Sequence, residues 1–221
     1  MPRRARDHHD PPRAPVREAA RHYRRWAFES AALDLALRQL GRSLGAVLDR
    51  PYRPVRFVIS TRLEIEGWLE IDPTMEFKLD PTPDWSDERI AAAAATDRVR
   101  ALDFKGYYSG TSVDVETDPD LYRRVAEAFP DAVLEDPAWT EETARILSPH
   151  QDRLAWDAPV HSVDDLDRLP LAPRWVNVKP SRFATIRRLF DAYEACAARG
   201  IRTYGGGQFE LGPGRQQIQA L

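Results

Sequence analysis

Apolar positions along this chain follow two rhythms. From Val16 to about Leu48 the spacing is helical: Ala27, Ala31, Ala32, Leu35, Leu37 and Leu40 form a stripe, and Gly41 stands where it pauses. The pattern then changes. Val55–Ser60 is apolar and β-branched and has Pro51 and Pro54 ahead of it, which predicts a strand. Short apolar runs follow at Met75–Leu79, Val99–Phe104, Ala132–Leu134, Leu154–Trp156, Trp175–Val178 and Ile201–Tyr204. Helical patterns separate them, at Ser86–Ala95, Pro119–Phe129, Thr140–Leu147, Ser162–Leu169 and Phe183–Arg199. Helix-start signals support these, such as Ser86 before Asp87-Glu88, and Thr140 before Glu141-Glu142.

Strands and helices that alternate with a period of roughly 22 to 32 residues imply parallel strands joined by crossovers. Seven such strands with similar loops favour an α/β fold of the (β/α) TIM-type barrel class over an open doubly wound sheet. Residues 1–15 hold four prolines and nothing to bury, which predicts a disordered Pro/Arg-rich tail ahead of one barrel domain over 16–221. His8, His9 and Asp10 lie in that tail and are a weak metal candidate there.

Composition narrows the function classes. A net charge of −3 provides no global basic field, so a nucleic-acid partner is not expected. No apolar run approaches the roughly 18 to 20 residues that span a bilayer, and no signal-like segment opens the chain, so neither membrane nor export is expected. Cys196 is the one cysteine; it fits a reducing cytoplasm and, in its helical pattern, reads as a buried structural thiol. Of 32 basic residues only Lys78, Lys105 and Lys179 are lysines, and each stands at the end of an apolar run. An amine can lose and regain a proton where a guanidinium cannot, which marks the three for acid/base chemistry. Drift toward arginine across the genome is the bland alternative.

In an α/β barrel the chemistry sits at the C-terminal ends of the strands, where all the βα loops open. Lys78 ends the second predicted strand, Asp103 and Lys105 the third, Glu135 and Asp136 the fourth, Asp157 the fifth and Lys179 the sixth; Gly205–Glu210 follows the seventh. Three carboxylates on adjacent strands repel unless a hard divalent cation neutralises them, and all-oxygen ligation suits Mg²⁺. Lys78 and Lys179 would flank that ion from opposite directions, and a nearby cation lowers an amine's pKa. Such a pair could remove or return a proton α to a substrate carboxylate, with the metal stabilising the enediolate. Asp136 before Pro137 and Asp157 near Pro159 could instead be ordinary turn residues. His161 reads as a loop histidine satisfied by backbone.

These segments resemble the enolase superfamily, in its muconate-lactonizing, o-succinylbenzoate synthase and dipeptide epimerase-like branch. Glu135-Asp136-Pro137 looks like the branch's Glu-Gln-Pro, and Val176–Arg182 is similar to its sixth-strand lysine motif. Gly206–Arg215 looks like its Gly-Gly-Met-Leu-Glu segment, and Phe28–Leu37 is similar to the Ala-Leu-Trp-Asp helix that opens the barrel. The resemblance implies Asp103, Glu135 and Asp157 as Mg²⁺ ligands and Lys78 and Lys179 as opposed acid/base groups. It places Lys105, Gln208 and Glu210 toward a small carboxylate substrate. Glu76 stands where the branch has the first member of a Lys-x-Lys pair, and Lys105 where it has the Asn of Asp-x-Asn. Lys105 could pair with Glu135 or Asp136, or tune the metal.

The resemblance implies Mg²⁺-dependent proton transfer, in an epimerase of dipeptides or N-acyl amino acids or an o-succinylbenzoate-type dehydratase. Residues 1–24 leave no room for the family's N-terminal capping domain, and Leu221 falls inside the helix after the seventh strand. The expectation is therefore an incomplete barrel without its eighth strand–helix unit, either a truncated gene or a fragment completed by another chain or a further copy. A catalytically silent barrel acting as an assembly partner is the alternative.

Overall fold

The computed structural model describes residues 13–207 and 210–221, so His8, His9, Asp10 and Gln208 lie outside the described residues. A 28-residue helix, α1 (Arg13–Leu40), leads into short α2 (Leu44–Val47). Then come β1 (Ile59–Thr61), α3 (Glu66–Ile71), β2 (Phe77–Leu79), α4 (Asp87–Ala95), β3 (Val99–Asp103) and α5 (Pro119–Ala128). The second half holds β4 (Val133–Glu135), α6 (Glu141–Leu147), β5 (Leu154–Trp156), β6 (Trp175–Val178), α7 (Ile186–Ala198), β7 (Arg202–Gly205) and α8 (Gly212–Ala220).

All seven strands are parallel and lie side by side in chain order, β1 to β7. A doubly wound sheet reverses its order at a switch point, and this one never does. Among the described residues β1 pairs with β2 alone and β7 with β6 alone. The sheet is thus a partial barrel, not a closed TIM-type ring.

Side-chain alternation sorts the strands into a dry face and a polar face. Phe77 and Leu79 enter one apolar cluster with Leu102, Phe104, Leu121, Val125, Leu134 and Leu147. Trp156, Val176 and Val178 enter a second with Trp26, Phe183, Leu189 and Cys196, and Trp139 packs against both. The residues between them on the strands, among them Lys78 and Asn177, point to the other face, where the polar groups gather. Cys196 is buried, as the helical pattern implies. Helix α1 is tied to α7 and α8 by polar contacts: Glu29 accepts the Ile186 N–H at 2.9 Å, and Ser30 donates to Gln217 at 2.8 Å.

Several boundaries differ from the sequence reading. Residues 13–15, assigned to a tail, lie in α1, whose first turn tolerates Pro15. Val55–Phe57 stays outside β1, exposed and unpaired beside Pro54. The helix read at Ser162–Leu169 shrinks to a 3₁₀ turn at Asp164–Asp167, because the Asp165 carboxylate draws in the His161 N–H at 3.0 Å and the Ser162 hydroxyl at 2.8 Å. The helix read from Phe183 begins only at Ile186: Pro180–Phe183 forms its own 3₁₀ turn, Ala184 sits at φ 65°, and Thr185 caps α7. No helix among the described residues is long and apolar enough to cross a membrane.

Candidate metal centre and proton-transfer site

The polar face becomes a site because neighbouring strands end in register. Asp103 pairs directly with Glu135 across β3 and β4. Between β2 and β3 the register slips by one residue at Phe77/Lys78, leaving Arg100 as an extra residue opposite them. Arg100 uses its guanidinium on Glu76 (2.7 Å), and Arg56 closes the other Glu76 oxygen (2.9 Å). Glu76, at the position the resemblance gives to a lysine, is therefore occupied away from the cluster.

Asp103, Glu135, Asp136 and Asp157 are all at 0% exposure. Cations compensate this concentration of buried charge. The Lys78 ammonium lies 2.8 Å from Asp103 Oδ2 and also bonds Glu135 Oε1. The Lys105 ammonium bonds the same Asp103 oxygen. Lys179 Nζ donates to Asp157 Oδ2 at 2.6 Å, and Arg182 Nη1 lies 2.7 Å from Asp157 Oδ1 while also reaching the Asp157 carbonyl. The two lysines expected to oppose one another thus sit on different carboxylates. Lys105 pairs with neither Glu135 nor Asp136; it goes to Asp103 and, at 3.5 Å, to Asp80.

Burial pushes the Asp103 carboxyl up, but Lys78 and Lys105 outweigh it and hold the group below its ordinary value. Asp157 is likewise lowered against its burial, by Arg182 and Lys179. Burial wins at Glu135, which is pushed up to about 7 although Lys78 pulls the other way. Asp136 rises well above its ordinary value through burial and the nearby charges of Asp157 and Glu135. Burial pulls the Lys78 ammonium down, but Glu135 and Asp103 outweigh it and hold the group above its ordinary value, protonated.

Ligand oxygens of Asp103, Glu135 and Asp136 lie within 4.8 Å of one another. Asp136 has another duty, however. Its two oxygens accept the backbone N–H groups of Asp157 (2.7 Å) and Ala158 (2.8 Å), fixing the exit of β5. Backbone strain gathers around the same rim, with Lys105 at φ 57° and Asp136 at φ 48°. Gly106 allows the tight crossing between them: it donates its N–H to the Asp136 carbonyl at 2.8 Å, and a Cβ there would fall 2.1 Å from the Ala138 nitrogen.

Tyr204, Arg182 and Asp80 were not foreseen. The Tyr204 hydroxyl donates to Glu135 Oε2. Each lies at or just past the end of a strand, and Arg182 also closes the Val176–Arg182 segment. Glu210 lines a cleft of about 370 Å³ with Tyr23, Trp26, Ser30, Ser181 and Leu211. His161 rests its Nε2 on the Ala158 carbonyl at 2.9 Å, as a backbone-satisfied loop histidine does.

The family described as domain of unknown function (DUF8230) matches through its C-terminal domain over residues 51–221 and its N-terminal domain over 7–47. No curated protein matches the sequence. Among solved structures, an enolase-superfamily member from Listeria innocua is 20% identical, with 80% of this chain and 50% of that one covered and a TM-score of 0.61. A dipeptide epimerase from Methylococcus capsulatus, solved with Mg and the dipeptide L-Arg-D-Lys, is 18% identical (89% and 61% covered, TM-score 0.64). An L-Ala-D/L-Glu epimerase is 15% identical (85% and 59%, TM-score 0.60). The chain spans 50% to 61% of the length of these structures. At such identities the likeness is one of fold.

Proposed function

Since the chain belongs to the DUF8230 family and carries its buried carboxylates at the strand ends of an enolase-superfamily fold, we propose that it serves Mg²⁺-dependent proton transfer at a carbon next to a carboxylate. The observation that carries this is the cluster itself: all-oxygen, fully buried donors on adjacent strand ends with two lysines beside them. Such donors fit a hard divalent cation. Asp103 and Glu135 would hold it. The oxygens that converge within 4.8 Å belong to Asp103, Glu135 and Asp136; we nevertheless assign the third place to Asp157, because its oxygens are held by the movable side chains of Lys179 and Arg182, whereas both Asp136 oxygens accept backbone amides.

When bound, the ion would draw off negative charge developing on a substrate carboxylate. The chain's own residues supply the rest. Lys78 and Lys179 stand on β2 and just past β6, on either side of the carboxylates, and serve as the groups that take and return the proton, Lys78 once a bound cation offsets the two carboxylates that hold it protonated. Arg182 holds Asp157 in place while Lys179 works from its other oxygen. Tyr204 does the same for Glu135 from the far edge of the sheet. Dipeptides and N-acyl amino acids are the substrate class; the Methylococcus capsulatus structure with its bound dipeptide supports that choice.

Thermal unfolding with and without Mg²⁺ tests the reading. The ion should raise the melting temperature of the parent chain, and Asp157→Asn should abolish the rise while Asp136→Asn lowers stability with or without the ion. A parent chain indifferent to Mg²⁺ would remove the metal from the account.

A further inference from the structure

We infer that Lys105 is a resident counter-ion of the carboxylate cluster: its ammonium neutralises Asp103 when no divalent cation is bound and moves to Asp80 when one binds. The inference deepens the proposed metal reading and rests on it.

Asp103 is over-supplied with donors. Its Oδ2 takes both the Lys78 and Lys105 ammoniums, and its Oδ1 takes the Lys105 backbone N–H at 3.2 Å. Lys78 has a second task, since it also bonds Glu135. Lys105 spans Asp103 closely and Asp80 more loosely, at 3.5 Å, so it can shift from one to the other without leaving either strand end. Formally, the four carboxylates Asp103, Glu135, Asp136 and Asp157 are faced by four cations, Lys78, Lys105, Lys179 and Arg182. A dication added to that balance leaves two positive charges in excess, and retiring one ammonium halves that excess.

Asp80 is where it can go. One residue past β2 and 8% exposed, Asp80 offers Oδ2 to Arg62 at 3.0 Å, while its buried Oδ1 accepts no hydrogen bond. That oxygen lies 3.5 Å from Lys105 Nζ, so a small swing of a flexible stem closes the bond. The Tyr108 ring lies 5.3 Å from the same nitrogen and offers the ammonium a cation-compatible face.

The placement is enforced by the backbone. Lys105 at φ 57° and the close crossing of Gly106 over Ala138 turn the side chain back over the strand it has just left. A left-handed lysine is uncommon and costs stability, so its position has to be held by the surroundings. An asparagine there carries no charge and could not act as a second cation.

The test is thermal unfolding of the full chain against MgCl₂ concentration, for the parent, Lys105→Met, Lys105→Arg and Asp80→Asn. Removing the competing charge should lower the Mg²⁺ concentration for half the stabilisation by about tenfold or more. Lys105→Arg keeps the charge and should not lower it. Asp80→Asn removes the resting place and should raise it several-fold. A folded Lys105→Met chain whose half-point equals or exceeds the parent's overturns the inference; if that variant does not fold, an unchanged half-point in Asp80→Asn overturns it. No Mg²⁺ response in any of the four chains overturns the metal reading, and this inference with it.

Discussion

Arg182→Met is the perturbation whose cost can be worked most fully from the geometry. Asp157 is at 0% exposure and Arg182 at 4%, so the pair is removed from water on both sides. The guanidinium makes a 2.7 Å contact to Asp157 Oδ1, bonds the Asp157 carbonyl, and reaches Tyr108 at 3.4 Å. Methionine has a similar length and no donors. Asp157 keeps Lys179 on Oδ2, but Oδ1 and the carbonyl lose their Arg182 bonds. Breaking a buried pair from one side costs roughly 3–5 kcal/mol, and the surviving Lys179 contact places this case at about 3 kcal/mol. For a chain of this length that is about 6–12 °C in melting temperature, read by circular dichroism. In the Asp157→Asn background the same substitution should cost much less, because the charge it leaves stranded is gone. A loss under about 2 °C, or an equal loss in both backgrounds, would refute the reasoning.

Three further outcomes follow from the same contacts. Gly106→Ala would drive a Cβ to 2.1 Å from the Ala138 nitrogen and should cost about 1–3 kcal/mol; a neutral effect in chemical denaturation would mean the β3 and β4 loops do not cross as described. Tyr204→Phe takes the hydroxyl donor from buried Glu135 and should cost about 1–2 kcal/mol, against no change if solvent replaces it. Glu135→Gln tests pH dependence: the folded carboxyl holds its proton up to about 7, whereas an ordinary one releases it at 4.5. The folded state therefore binds more protons than the unfolded state in that window, and this group makes stability fall as pH rises. The melting temperature of Glu135→Gln relative to the parent should climb between about pH 5 and pH 7, and a flat difference would contradict the assignment.

Much of the frame was legible. Lys78, Asp103, Glu135, Asp157 and Lys179 each follow or close a short apolar run, and the strand ends do gather them on one face of the sheet. The winding was less so, since a period of strands and helices fits both a barrel and an open sheet; only the unbroken order β1 to β7 decides it. The partners of Lys105 could not be read, because a left-handed backbone at that residue turns its amine back onto Asp103. Asp136 before Pro137 looked like a turn residue, and the two amides it accepts come from residues 157 and 158, a pairing no local pattern reveals. Arg182 was hidden by abundance, as one arginine in a chain that uses the residue almost everywhere.

The most direct test of proton transfer is exchange at the substrate α-carbon. Each epimer of a dipeptide, such as Ala-Glu, is incubated with the Mg²⁺-loaded chain in D₂O, and the α-proton signal is followed by NMR. Deuterium should enter from both epimers with the parent chain, Lys179→Ala should abolish entry from one, and Lys78→Ala should abolish it from the other. Wash-in that is identical in the parent and both lysine variants, or absent across the dipeptide series while Mg²⁺ is bound, would contradict the assignment of Lys78 and Lys179 as the proton-transfer pair.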